Sequence, residues 1–445
     1  MRWHAEFDAT PLVDTSVLDD ISPLVDLEVG FDRPIVSDVA STTRTALDKL
    51  PALHALQAGQ TVAVTAGSRG IANIALILAQ VCAYLRERCL QPVIVSAMGS
   101  HGGNSPEGQR ALLASLGLCE ASLGTRLICS TGTVVVGQTS CGTPVWVDEF
   151  AANAADAILL VNRIKPHTAF RSTTESGLLK MIAVGLGHQP GASAVHAAGP
   201  QRMGPLIREM ARVAMARLPL VGGLAILENA YDETAEIHAV PPDQLFAVEE
   251  RLLLKARSLL PRLPVREADV LIVEQIGKEI SGTGMDTNII GRGIEGESAG
   301  PHPAPRFTRV LVLGLTAASH GNATGIGLAD FTTDHVVAAL DRKSTYTNCL
   351  TSTLLDRAML PLFFPDDRQA LAAALISLGS VTARRARLVQ IRDTLHLSRV
   401  RLSQNLLSAA ETASGLAVRR AVAPHGVTGQ GPLHFDQCGR LDRLL

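Results

Sequence analysis

Residues 61–107 read TVAVTAGSRGIANIALILAQVCAYLRERCLQPVIVSAMGSHGGNSPE, and this stretch decides the fold. TVAVTA is a short apolar, β-branched run that ends at Gly67-Ser68-Arg69-Gly70. IANIALILAQVCAYLRERCL carries a long helical pattern. PVIVSAM is the next strand, ending at Gly99-Ser100-His101-Gly102-Gly103-Asn104. Ser105-Pro106-Glu107 then opens another helix, with proline at an early helical position. Strands and helices alternating at this spacing form parallel β–α–β units.

The same pattern extends outward. TRLICS (125–130), TVVVGQTS (133–140) and TPVWVDEF (143–150) read as strands, the last two joined around Cys141-Gly142, and AILLVNR (157–163) reads as a buried strand. A helical segment, roughly Pro242 to Leu260, leads to the linker Pro261-Arg262-Leu263-Pro264. ADVLIVEQ (268–275) and RVLVLGLT (309–316) are further strands, each followed by a glycine-rich loop, and a helix-rich region closes the chain. Upstream, Pro34-Ile35-Val36 is expected to be a short strand and Ser41 to Leu50 a helix. The expected architecture is α/β: two domains with largely parallel sheets, residues 1–262 and 263–445, and an active-site cleft between them. At 445 residues two domains are natural.

Composition narrows the function. The chain is 47% hydrophobic and 18% charged, with a formal net charge of −2, so it offers no field to attract nucleic acid or an anionic membrane. No apolar run reaches spanning length, and the start MRWHAEFDATPLVD lacks a basic region followed by an apolar core. A cytoplasmic location is expected. Seven scattered cysteines without a C-x-x-C argue against a disulfide frame, a cysteine zinc site or an iron–sulfur cluster.

Chemistry concentrates in residues 161–199, VNRIKPHTAFRSTTESGLLKMIAVGLGHQPGASAVHAAG. His167 follows Lys165-Pro166, so its ring projects from extended backbone. Thr174-Glu175-Ser176-Gly177 reads as a helix start, and Lys180 on the first turn beside free N–H groups suits a phosphate or another anion. His196 lies in a small-residue loop that leaves room for something bulky. Arg69, His101 and His167 all fall at strand C-termini, the edge where open α/β sheets bind ligands. Each has an ordinary alternative: a helix-start ion pair for Arg69, a space-filling ring for His196, a solvated loop charge for Lys278. TAGSRGIA is similar to the cofactor loop of short-chain dehydrogenases. Two expected glycines are Ala66 and Ala72, however, and Tyr84, Tyr231 and Tyr346 are followed four residues on by Arg88, Ala235 and Leu350 rather than lysine.

Taken in order, the motifs from about residue 60 to 280 resemble the nickel-pincer-nucleotide-dependent lactate racemase family. That family has an arginine after an early strand, here Arg69, and a histidine after the next, here His101. A Pro-His pair (Pro166-His167), a cofactor-bearing lysine (Lys180) and a metal-binding histidine sixteen residues later (His196) follow. A Gln-x-x-Lys in the second domain falls on Gln275-Ile276-Gly277-Lys278. The resemblance implies that Lys180 carries pyridinium-3-thioamide-5-thiocarboxylic acid mononucleotide as a thioamide, with Ser176 and Gly177 beside it. His196 would ligate Ni(II) in a planar site of sulfur, carbon and imidazole. It further implies that His101 and His167 serve as acid and base on a 2-hydroxy acid, while Arg69, Gln275 and Lys278 hold the substrate. Hydride transfer to the pyridinium would then allow racemisation or epimerisation. The implied partners are the small hydroxy acid and the cofactor-building enzymes, with no nucleic acid or membrane. Two other classes use the same residues differently. A pyridoxal-phosphate racemase would hold Lys180 as an imine, and a non-catalytic nickel- or nucleotide-binding protein would leave it unmodified.

Overall fold

A computed structural model describes residues 11–294, 304–413, 415–421 and 430–444. The chain divides into two compact units, one of residues 33–260 and one of residues 11–32, 261–294 and 304–444. Both are α/β, with largely parallel sheets, as the alternation predicts.

In the 33–260 unit a six-stranded sheet runs in the order Arg126–Ile128, Gln91–Ser96, Thr61–Ala66, Ala157–Arg163, Leu220–Glu228, Thr234–Val240. All neighbours are parallel except the last pair, which forms an antiparallel edge. Both faces are covered, and so the strands are continuous apolar runs rather than alternating ones. Ala63, Val93, Val95, Ile158 and Leu160 pack against helices Pro200–Met215 and Leu245–Leu259 on one face. Val62, Val64, Ile94, Leu159 and Val161 pack against helices Val39–Leu47 and Ile74–Glu87 on the other. TVVVGQTS and TPVWVDEF become a separate antiparallel ribbon, Thr133–Gln138 with Pro144–Asp148. Chain order positions the site. Strand Thr61–Ala66 is laid first, the next two go to one side of it, and Ala157–Arg163 goes to the other. The connections therefore diverge between Thr61–Ala66 and Ala157–Arg163, and the carboxyl ends of these strands are where a sheet of this topology is expected to bind a ligand.

The second unit carries a nine-stranded sheet, ordered Leu362–Phe364, Phe331–Thr333, Arg306–Val312, Glu267–Val273, Leu388–Ile391, Arg399–Ser403, Leu24–Gly30, Ala417–Arg420, with Gln430–Gly431 also on Leu24–Gly30. The first five strands are parallel and the rest antiparallel. The reading that residues 1–262 form one domain differs here. The break at 260/261 falls close to the expected one, but residues 11–32 join the other unit. The reason is strand Leu24–Gly30, whose Leu24, Val25, Leu27 and Val29 are buried between strands from the far end of the chain. Pro34–Val36 is not a strand. No described helix is long and apolar enough to cross a membrane.

Candidate active site

The carboxyl edge of the sheet in the 33–260 unit gathers the loops that follow three strands. The loop after Thr61–Ala66 carries Ser68 and Arg69, and Ala72 N–H within it donates to Glu228 Oε1 (2.6 Å). Arg163 pairs with the same carboxylate from the neighbouring strand. The Ser68 hydroxyl hydrogen-bonds His101 Nδ1 from the loop after Gln91–Ser96.

His167 sits on a loop closed at its base by an antiparallel bridge. Lys165 N–H donates to Ser176 O (2.9 Å) and Ser176 N–H to Lys165 O (3.2 Å). Within it Glu175 is fully buried and acts as the hub. Glu175 Oε2 accepts from His167 N–H (2.6 Å) and Oε1 from Ser172 N–H (3.1 Å). Arg257 Nη2 lies 2.5 Å from Oε1, and Arg171 Nη1 lies 3.7 Å from Oε2. The His167 ring stacks on Phe170 at 4.3 Å. Its Nδ1 accepts from Ala169 N–H (3.1 Å), which in the neutral ring leaves the proton on Nε2.

Lys180 ends a single α-turn, Leu178–Lys180, which runs directly into a π-helical turn, Met181–Gly185. Such insertions are rare and concentrate at functional sites. The expected anion cradle at Ser176-Gly177 is already occupied. Glu249, 1% exposed on helix Leu245–Leu259, accepts from Leu179 N–H at 3.0 Å, and its charge is also favoured by Leu178 N–H. A Cβ on Gly177 would come within 2.5 Å of that carboxylate. Glycine is thus what lets the carboxylate reach the helix start. His196 belongs to helix His188–Ala197 rather than to a loop. That helix is anchored at its first residue by the fully buried His188–Asp148 pair (2.9 Å), and Asp148 Oδ1 also caps Ala151 N–H (2.9 Å).

These groups share an electrostatic field. Desolvation first, then Arg69, holds the Lys180 amine down at about 8, with Glu175 working the other way. Desolvation and the Lys180 charge hold His196 down at about 4, so its ring is neutral at physiological pH. Desolvation and Arg163 disfavour the Arg69 charge, although Arg69 is exposed and solvent screens much of the effect. Burial pushes Glu249 up to about 7, against the pull of the two N–H groups it caps.

The unit therefore brings Arg69, His101, His167, Lys180 and His196 to one sheet edge. Gln275 and Lys278 belong to the other unit, where Lys278 Nζ donates to Gly282 O (2.7 Å) and approaches Asn348 Oδ1 (3.4 Å). Sequence reasoning passed over Ser68, Glu175, Asp148, His188 and Glu249. For Glu249 a signal exists: it lies on the apolar stripe Leu245, Leu252, Leu253, Ala256, Leu259, where a charge is out of place.

A lysine-tethered nickel nucleotide fits part of this arrangement. A partly neutral Lys180 can be acylated, and a neutral His196 can donate nitrogen to a metal. No group of three or more His, Cys, Asp or Glu side chains placed to hold a metal ion occurs among the described residues, so further ligands would have to come with the cofactor. The helix-start N–H groups do not fit the phosphate, because Glu249 holds them.

No protein-family model and no curated protein sequence matches the chain. Several solved structures match the chain, among them these two. One is the lactate racemase apoprotein from Thermoanaerobacterium thermosaccharolyticum, at TM-score 0.50 and 13% identity, covering 84% of this chain and 98% of that one. The other is a Thermotoga maritima protein, at TM-score 0.46 and 13% identity, covering 64% of this chain and 72% of that one. At this identity the likeness to the racemase apoprotein is one of fold, and it extends over most of both chains.

Proposed function

We propose that the chain is a racemase or epimerase of a 2-hydroxy acid, working with a nickel-pincer nucleotide tethered to Lys180. The observation that carries the proposal is the Arg69–Lys180–His196 cluster at the carboxyl edge of the sheet in a chain whose fold is similar to that of a lactate racemase apoprotein. There the lysine is held at about 8 and the histidine at about 4. An ordinary surface lysine, near 10.5, would be almost wholly charged at neutral pH and a poor nucleophile.

When bound, the cofactor supplies a hydride acceptor, with His196 as the protein's nitrogen ligand to nickel. The chain's own residues handle the substrate and its proton. Arg69 holds the carboxylate by charge-assisted hydrogen bonds. Neutral His167, with Nδ1 engaged by Ala169 N–H, presents Nε2–H to the substrate hydroxyl. His101, positioned by the hydrogen bond between its Nδ1 and Ser68, serves as the second acid or base for the hydroxyl proton. Glu175 holds the His167 loop in register, and Glu249 holds the turn that bears Lys180.

The test is made on protein produced together with the cofactor-building enzymes. A panel of enantiopure 2-hydroxy acids labelled with deuterium at C2 is offered and the products separated by chirality. At least one acid should be inverted with its deuterium retained in ordinary water. His101→Ala and His167→Ala should each slow inversion by about 10²–10⁴-fold, the usual worth of a positioned acid or base. Deuterium lost to solvent during inversion would contradict the reading.

A further inference from the structure

The second unit has its own point of divergence. Among its parallel strands Glu267–Val273 is laid first, Arg306–Val312, Phe331–Thr333 and Leu362–Phe364 follow on one side, and Leu388–Ile391 returns on the other. A crevice is expected at the carboxyl ends of Glu267–Val273 and Leu388–Ile391, by the same rule that places the candidate active site in the first unit. A cavity of about 1000 Å3 lies there. Its walls include residues that follow all five parallel strands, among them Gln275, Leu315, His335, Asp366 and Arg392, and the segment His434–Leu444 forms its remaining side.

The chemistry of the wall selects the ligand. Its carboxylates already serve the unit itself. Glu274 Oε1 accepts from Gln390 Nε2 (2.7 Å) and Leu444 N–H (2.8 Å), and Asp366 Oδ1 caps Gln369 N–H (2.8 Å). Asp367 Oδ2 accepts from Leu441 N–H and from Arg443 Nη2, both at 2.9 Å. Asp436 Oδ1 closes a turn on Cys438 and Arg440 N–H (2.8 Å each), and Asp442 lies 3.7 Å from Arg401.

The cationic side is different. The exposed Arg440 and His434 side chains make no hydrogen bond or ion pair among the described residues, and the half-exposed Arg392 has only Asp393 at 3.5 Å. Arg443 Nη1 and Thr333 Oγ1 are buried on the same wall without a partner among the described residues. A buried polar group without a partner is destabilising until something polar closes over it.

We propose that this cavity is a second ligand site that binds a small oxyanion, a carboxylate or a phosphate group, through Arg440 and Arg392. The proposal rests on Arg440 and Arg392, neither of which the racemase reading uses.

Isothermal titration calorimetry on the full chain tests it, with inorganic phosphate and acetate as separate probes. At least one probe should bind saturably, and which one binds tells phosphate from carboxylate. Arg440→Ala and Arg392→Ala should each weaken that binding about tenfold, the loss of one charge-assisted hydrogen bond. The titrations are run on full-length Arg69→Ala protein so that the carboxylate site of the other unit does not contribute, and a further Arg44→Ala change, in a surface ion pair of that unit, should leave the binding unchanged. Arg440 is exposed, so its replacement leaves the fold intact. Three results would overturn the site: no saturable binding of either probe below about 10 mM, binding that survives both cavity substitutions, or binding lost equally on Arg44→Ala.

Discussion

Lys180 is the residue on which the functional reading turns, and its environment makes a measurable claim. Only the neutral amine reacts with an acylating reagent, so labelling of Lys180 should climb through about pH 8 instead of near 10.5. Arg69→Ala should move that midpoint upward, because one opposing cation is removed, but not fully to 10.5, since desolvation is the larger cause. Peptide mass spectrometry across a pH series reads both, and an ordinary midpoint in the wild type would contradict the account. The candidate residues stand out in the sequence because each sits just past an apolar strand or in an apolar run with turn signals. The residues that hold them do not. Glu249 meets Leu179 across 70 residues, and Arg257 meets Glu175 across 82. No local pattern encodes a partner at that separation.

At the scale of the element, the short turn Leu178–Lys180 depends on a carboxylate from another helix. Glu249→Ala removes the acceptor for the helix-start N–H groups and should cost about 1–2 kcal/mol in denaturant unfolding. Glu249→Gln keeps an acceptor and should cost less. The pH dependence separates the two roles. The folded chain raises Glu249 from 4.5 to about 7, so its charge is disfavoured and the cost is fully present above about pH 7. That cost fades as pH falls toward 4.5. Wild-type stability should therefore improve relative to Glu249→Gln between pH 7.5 and pH 4.5, and a flat difference would remove Glu249 from this role. The helix His188–Ala197 escaped sequence reading for a related reason. HQPGASAVHA has no apolar stripe for a 3.6-residue period to reveal. Its Pro190 falls in the first turn, where a missing N–H is harmless.

For the whole molecule, parallel β–α–β alternation was legible because both faces of each sheet are covered and the strands are uninterrupted apolar runs. Strand Leu24–Gly30 was not, since its neighbours, Arg399–Ser403 and Ala417–Arg420, lie at the other end of the chain. Asp26 reaches Arg401 across 375 residues. Residues 33–260 produced alone should fold cooperatively, because their sheet is complete. Residues 261–445 alone should not, because a strand interior to their sheet is missing, and supplying residues 11–32 should restore folding. Circular dichroism with denaturant titration of the fragments decides this, and a cooperative 261–445 fragment would contradict it. The central claim is that Lys180 carries a covalent nucleotide and His196 its metal. It is tested most directly by the mass of the Lys180 peptide, with nickel content, from protein made alongside the cofactor-building enzymes. The account predicts an adduct on Lys180 and stoichiometric nickel that His196→Ala abolishes. A protein that inverts a 2-hydroxy acid while Lys180 remains unmodified would contradict it.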